Sequence, residues 1–374
     1  MENILVVGIN TRAVTYSLSK LGYNIISADY FGTLDLQECV MEYKSILKQK
    51  AYQSCGYFNE NFNSGVLDEL AKDFVDTADG IICLAGASPE NYPKNKIIGN
   101  KNVAMVENKY KLYKRLKNKF KLPETYNMSD MSEACEVIDN HPDKRFILKP
   151  IQGSGGYGIK NWEKMDENID LKDFILQELI TGLNISVSVL STDSQSHTII
   201  TSQQIIGEVN LGQKEPYGYC GNIAPFLDDN EAAGIGEDVV NYLSLVGSNG
   251  VDFILKNDDL FLIEVNPRLQ GTLECAEASL GINIMEAHME ACNGVMMNVP
   301  RPKKFAVKMI IHSRERSLVG DLSFKGLYDI PFENVIIEKG EPIVTVMNSK
   351  RVLEDAVYLA EKQVSEVYSS LKSL

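Results

Sequence analysis

Two stretches of this sequence gather residue types that handle phosphate anions and hard cations. The first reads Phe146-Ile147-Leu148-Lys149-Pro150-Ile151-Gln152-Gly153-Ser154-Gly155-Gly156-Tyr157-Gly158. The apolar residues before Lys149 predict a buried strand, where a lysine is expensive unless an anion meets it. The glycines that follow let a loop wrap backbone N–H groups around phosphate oxygens. Lys149 and residues 153–158 therefore read as a nucleotide clamp. The order is not that of G-x-x-x-x-G-K-[ST], in which the lysine follows the glycines. Taken alone, the stretch also fits a glycine-rich hairpin tip with a lysine reaching for solvent.

The second stretch runs from Gly250-Val251-Asp252-Phe253 through the turn Asn257-Asp258-Asp259 to Glu264-Val265-Asn266-Pro267-Arg268. A strand alternates its side chains with a period of two, so a hairpin here places Asp252, Glu264 and Asn266 on one sheet face. Three hard oxygen donors converging there suit Mg²⁺, completed by waters and nucleotide phosphates. Arg268 adds a planar fork for a phosphate or carboxylate. The competing reading is a solvent-facing acidic edge, against which Phe261, Ile263 and Val265 argue for a half-buried hairpin. The stretch from Lys214 to Asn222 reads either as a substrate-covering loop or as an ordinary surface loop. Gly271-Thr272 could hold an acyl or phosphoryl group, or cap a helix that starts at Leu273. His141, His197, His288 and His312 sit in no motif and read as structural.

The elements that must position these residues follow from periodicity. Residues 3–7 form an apolar run typical of a strand buried on both faces of a parallel sheet. A helix over 11–21, a strand over 24–28 and a later strand over 80–84 continue a βαβ pattern. The first turn reads Gly8-Ile9-Asn10-Thr11-Arg12-Ala13. It lacks the second glycine that lets a pyrophosphate approach the backbone, which argues against NAD. The lysines between Lys101 and Lys121 read mostly as a solvated helix face, ended by Leu122-Pro123. Strands at 145–149, 174–178, 184–190, 198–206, 250–255 and 260–265 predict an antiparallel sheet with connecting helices. Strands at 306–312, 335–337 and 340–346, then a helix from about Leu353, complete the chain.

With 374 residues, the chain is long enough for two or three compact units. Its net charge of -14 repels phosphate backbones and anionic lipid, which disfavours nucleic acid as a partner. The mean hydropathy of -0.14 and the lack of an apolar run near the length of a membrane span point away from the bilayer. Scattered cysteines without a C-x-x-C, and no signal-peptide pattern, predict a cytoplasmic protein with reduced thiols.

The order LKP…GSGGYG, QELITG and GVDF…EVNPR resembles the ATP-grasp superfamily over roughly residues 1–300. The stretch Asn266-Pro267-Arg268-Leu269-Gln270 is most similar to the carboxylate–amine ligase branch related to biotin carboxylase. The resemblance implies an α/β N-terminal Rossmann-like (pre-ATP-grasp) domain over residues 1–105. An α+β ATP-grasp domain over 106–300 and a small C-terminal α/β extension over 301–374 would follow. It implies that Lys149 and an earlier lysine hold ATP phosphates, with Gly153, Ser154, Gly155, Gly156 and Gly158 in the loop that covers them. Lys109 is the chosen earlier lysine, with Lys111 and Lys114 as alternatives. Gln177, Glu178 and Leu179 would line an adenine slot. Asn184 stands where the family usually places an acidic ribose contact, which leaves a weaker, uncharged one. The implied cofactors are ATP and Mg²⁺, with Mn²⁺ as a substitute, and the implied partners are a small carboxylate and an amine. A homodimer fits the same resemblance. The implied reaction passes through an acyl phosphate, with Lys149 and Arg268 as the catalytic cations. A bicarbonate-using carboxylase and a non-catalytic nucleotide-binding protein are the rival readings.

Overall fold

The apolar run at the start of the chain becomes strand β1 (Asn3–Gly8), whose residues after Asn3 are all buried. It pairs in parallel with β2 (Asn24–Asp29) and, after β3 (Glu42–Ser45) pairs with β2, with β4 (Gly80–Cys83). The resulting four-stranded sheet has the order β3-β2-β1-β4. Ile4 and Val6 pack on one face with Val14 and Leu18 of the helix Arg12–Ser19. Leu5 and Val7 pack on the other with Leu67, Ala71 and Phe74. Burial on both faces is why these strands read as continuous apolar runs. The computed structural model describes residues 2–63, 65–153, 155–164, 170–226 and 230–374.

The helix Lys109–Leu116 starts at Asn108, whose Oδ1 accepts from Lys111 N–H at 2.9 Å. It ends at Leu116, earlier than the Leu122-Pro123 stop expected from the sequence. The N–H groups of Lys119 and Phe120 both return to the Leu116 carbonyl, and the Lys121 carbonyl accepts from Leu262 N–H at 2.8 Å. The chain thus leaves the helical path to join a strand before proline can act. Next come β5 (Thr125–Asn127), β6 (Phe146–Pro150), β7 (Lys160–Asn161) and β8 (Phe174–Glu178), an antiparallel sheet of order β5-β8-β6-β7.

The remaining strands are β9 (Leu183–Ser191), β10 (Ser196–Ile206), β11 (Tyr219–Ala224), β12 (Gly247–Lys256), β13 (Asp259–Asn266), β14 (Phe305–His312), β15 (Ser317–Val319), β16 (Leu327–Tyr328), β17 (Ile336–Ile337), β18 (Pro342–Lys350) and β19 (Leu371–Ser373). Eight of them form an antiparallel sheet of order β13-β12-β9-β10-β11-β14-β18-β16, and β17-β15-β19 form a small one. The large sheet runs on across residue 300, because β14, β16 and β18 hydrogen-bond into it. The stretch read as a loop up to Asn222 turns into β11 at Tyr219. Its backbone fills the slot between β10 and β14, with Gln204↔Asn222 and Asn222↔Lys308 in register. The last long strand begins at Pro342, slightly later than expected.

Alternation along the large sheet separates two faces. Val187, Val251 and Phe253 pack on Val239 and Val240 of the helix Asn230–Tyr242. Val307 and Ile311 pack on Ala356 and Ala360 of the helix Leu353–Ser369. The opposite face carries Ser186, Gln204, Asn222, Asp252, Lys308 and Thr345, all of which line one large cavity.

Candidate active site

The cavity has a volume of about 1320 Å³ and lies between the polar face of the large sheet, strand β6 with its glycine loop, and the N-terminal parallel sheet. Lys109, Lys149, Arg268 and the described residues assigned to the glycine loop, the cation site, the adenine slot and the ribose contact all line it, and Ser154 lies outside the described residues. Lys149 sits on β6 with only 7% of its surface exposed. Burial, helped by the neighbouring charge of Lys109 and opposed by Glu264 and Asp252, pulls its ammonium down to about 8. Lys109 occupies the first turn of its helix, where its N–H donates to the Ile151 carbonyl at 3.1 Å. Its ammonium donates to the Gly153 carbonyl at 2.9 Å and lies 3.3 Å from Glu264. Of the two alternatives, Lys114 lies over the Tyr110 ring and Lys111 is exposed; neither lines the cavity.

The glycine loop is docked against β11. Gly155 accepts from Tyr219 N–H at 3.1 Å. Gly156 has φ +76°, and a Cβ there would lie 1.7 Å from the Tyr217 carbonyl oxygen. No side chain fits that approach.

Asp252 and Glu264 are register partners across β12 and β13, as the alternation argument requires. Asn266 donates to Asp252 Oδ2 at 2.9 Å, while Ser186 at 2.6 Å and Gln204 at 3.2 Å donate to Asp252 Oδ1. Burial, then the charge of Glu264, raises the Asp252 carboxyl to about 6. Two half-buried carboxylates with an amide beside them form a donor set that a divalent cation could join, and hard oxygen donors suit Mg²⁺. Arg268 approaches Glu107 at 3.9 Å, and its Nε is buried without a hydrogen-bond partner. Burial raises the Glu107 carboxyl, against the pull of Arg268. An unpaired guanidinium N–H in a cavity is suited to a phosphate or carboxylate oxygen.

Gln177, Glu178 and Leu179 all line the cavity, with the first two side chains engaged elsewhere in the fold. The Gln177 amide donates to Thr125 Oγ1 at 2.9 Å, and the Glu178 carboxylate is 3.4 Å from Lys144. The N–H groups of Glu178 and Leu179 donate to the Glu124 and Arg145 carbonyls at 2.8 and 2.7 Å. Asn184 lies on β9 opposite Ile254 and faces the same space. Thr272 precedes the helix Leu273–Leu280 without capping it through its side chain, and its hydroxyl instead meets Ser188 at 2.8 Å. His312, read as structural, also lines the cavity; burial lowers its imidazole to about 4. Sequence reasoning missed Ser186, Gln204 and Lys308. Their parity on alternating strands was readable, but the strand order that brings them together was not.

Residues 106–272 match the ATP-grasp domain family. An uncharacterised protein of Methanocaldococcus jannaschii is 32% identical over 361 residues, covering 93% of this chain and 88% of that one. The chain belongs to the ATP-grasp family. The tyramine–L-glutamate ligase of the same organism is 30% identical to this ATP-grasp protein over 195 residues, 49% of this chain and 50% of that one. The crystal structure of N5-carboxyaminoimidazole ribonucleotide synthetase from Thermotoga maritima matches this ATP-grasp fold with a TM-score of 0.69. That match is 16% identical and covers 100% of this chain and 99% of the other. This is an ATP-grasp enzyme related to carboxylate–amine ligases, and its nucleotide cofactor is ATP. Among the described residues no helix is long and apolar enough to cross a membrane.

Proposed function

We propose that this enzyme joins a small-molecule carboxylate to an amine through an acyl phosphate, releasing ADP and phosphate. The observation that carries the reading is one cavity in which Lys109, Lys149 and Arg268 stand with the half-buried pair Asp252 and Glu264. A substrate carboxylate oxygen attacks the γ-phosphorus of ATP, the bond to the bridging oxygen breaks and ADP leaves. The amine nitrogen then attacks the acyl carbon, phosphate departs, and the nitrogen gives up a proton.

Lys149 and Lys109 neutralise charge on the phosphates, and Arg268 holds the transferred phosphoryl group with its free Nε–H. Asp252, Glu264 and Asn266 would hold Mg²⁺, which when bound draws charge from the phosphate oxygens. The loop 153–158 keeps water from the acyl phosphate. The stretch 177–179 receives adenine and Asn184 a ribose hydroxyl. On this reading residues 1–105 shape the substrate crevice, 106–300 the nucleotide site and 301–374 its outer wall, in a cytoplasmic protein. The relative named for tyramine and L-glutamate supports an amine and an acid as the substrate pair.

The test supplies MgATP, hydroxylamine and a panel of organic acids in bicarbonate-free buffer. The correct acid should give a hydroxamate, ADP and phosphate. AMP and pyrophosphate would overturn the acyl-phosphate route, and turnover that needs bicarbonate would replace the ligase with a carboxylase.

A further inference from the structure

Arg268 owes its place to the turn that follows β13. Its N–H returns to the Asn266 carbonyl at 2.8 Å, across Pro267. Proline has no N–H, so its carbonyl is the one backbone group by which Pro267 can anchor that turn. The carbonyl accepts from Asn100 Nδ2 at 2.9 Å. The same amide reaches Asn249 Oδ1 at 2.7 Å, and Asn100 Oδ1 accepts from Val246 N–H at 2.9 Å. Half-buried Asn100 thus directs its donors and its acceptor to the point where β12 begins and β13 has just ended. Fully buried Asn249 donates in turn to Ser191 Oγ at 3.1 Å and to the Gly247 carbonyl at 3.0 Å, which fixes the acceptor that Asn100 uses.

Asn100 belongs to neither strand. It lies on the connector between β4 and the helix Lys109–Leu116, and that connector runs along the edge of the N-terminal sheet. Ile81 N–H donates to the Lys96 carbonyl at 2.7 Å, and Ile98 N–H donates to the Ile81 carbonyl at 2.9 Å. Past Asn100, the Glu90 carboxylate accepts from the Val103 and Ala104 N–H groups at 2.6 and 2.9 Å. Glu107, at the end of the connector, then stands 3.9 Å from Arg268 Nε. The connector therefore reaches the arginine twice, at its backbone turn through Asn100 and at its guanidinium through Glu107.

We propose that Asn100 is a positioning residue for Arg268, through which the connector registers the arginine against the N-terminal sheet. A guanidinium that serves a transferred phosphoryl group tolerates little displacement, since a shift of about 1 Å costs about 100-fold in rate. Lys149 is held by the pairing of β6 and Lys109 by the Ile151 carbonyl, both independent of the turn at Pro267. Loss of the Asn100 amide therefore falls on the step that Arg268 serves and spares ATP binding. The effect on rate rests on the role given to Arg268 in the ligase reading. The effect on the arginine itself does not.

Asn100→Ala removes every bond of the amide, whereas Asn100→Asp keeps the volume and the acceptor for Val246 N–H and loses both donors. Each should lower kcat by about 10- to 100-fold while changing KM for ATP less than about twofold. The rate is read as total ATP consumed with the panel of organic acids, so it counts ADP and AMP alike. In an Arg268→Ala background the same substitutions should change the rate less than about twofold, whereas a general structural role would lower it equally in both backgrounds. In protein labelled with ¹⁵N at arginine, the Arg268 Nε–H resonance, assigned by its loss in Arg268→Ala, should shift in Asn100→Asp. An unmoved resonance, or equal rate losses in both backgrounds, overturns the proposal. A resonance that moves while Arg268→Ala itself leaves ATP consumption unchanged removes Arg268 from phosphoryl transfer and leaves its positioning by Asn100 intact.

Discussion

Lys149 holds its proton weakly, because burial has lowered its ammonium to about 8. Phosphate binding favours the charged form, so affinity for MgATP should fall as pH rises through about 8. Lys149→Arg, whose charge does not titrate in this range, should flatten that profile in calorimetric titrations between about pH 7 and about pH 9. Lys149→Ala should weaken binding by about 2–5 kcal/mol; unchanged affinity would remove Lys149 from the clamp. Asp252 runs the other way. Its carboxyl is raised from 3.8 to about 6, so the folded state holds its proton more tightly than the unfolded chain does. The contribution of this one group to stability is therefore fully present below the unfolded value and is lost as pH rises through about 6, by on the order of 2–3 kcal/mol. Asp252→Asn should raise the melting temperature of the metal-free protein at neutral pH and also raise the Mg²⁺ concentration needed for activity. A lower melting temperature together with an unchanged Mg²⁺ titration would contradict the metal role. Both residues were legible because their types are costly where they stand: a lysine ending an apolar strand, and acids alternating with Ile263 and Val265.

At the scale of elements, the glycine loop works because it can lie directly on the chain entering β11. Gly156→Ala would place a methyl carbon against the Tyr217 carbonyl at a backbone angle alanine disfavours, a strain of about 1–3 kcal/mol. The loop lies at the surface, so this variant should lower kcat/KM for ATP roughly tenfold or more while shifting the melting temperature little. Full activity would show that the docked loop is not the working conformation. Strands β1, β6 and β12 were readable from apolar runs and alternation. β11 was hidden because its residues, Tyr219-Cys220-Gly221-Asn222, are those of a loop. Its strand state comes from two neighbours, β10 and β14, that are distant in sequence. The early end of the helix at Leu116 has the same origin, a tertiary hydrogen bond from Leu262 to Lys121.

At the scale of the whole molecule, one buried cluster fastens the N-terminal sheet to the large sheet beside the cavity. Arg12, 2% exposed, pairs with both oxygens of Glu274, with Asp329 at 3.0 Å and with Asp35 at 3.3 Å. Lys308 meets Glu274 at 2.7 Å. Burial works to raise the Glu274 carboxyl, but Arg12 and Lys308 overcome it and hold it below the usual range. Arg12→Met would leave Glu274 and Asp329 short of a cation, a loss of about 3–5 kcal/mol, and should lower the melting temperature by several degrees. Such a loss should fall on stability and substrate affinity together, because the cluster holds the crevice against the phosphate site. A variant as stable as the parent would show the cluster to be dispensable. Its members were invisible as a group in the sequence, separated by hundreds of residues and joined only by the fold. The central claim, an acyl phosphate formed in that cavity, is tested most directly by isotope transfer. With the active acid labelled with ¹⁸O in its carboxylate, turnover with MgATP and the amine should deliver one labelled oxygen to inorganic phosphate. Label in AMP, or phosphate free of label, would contradict it.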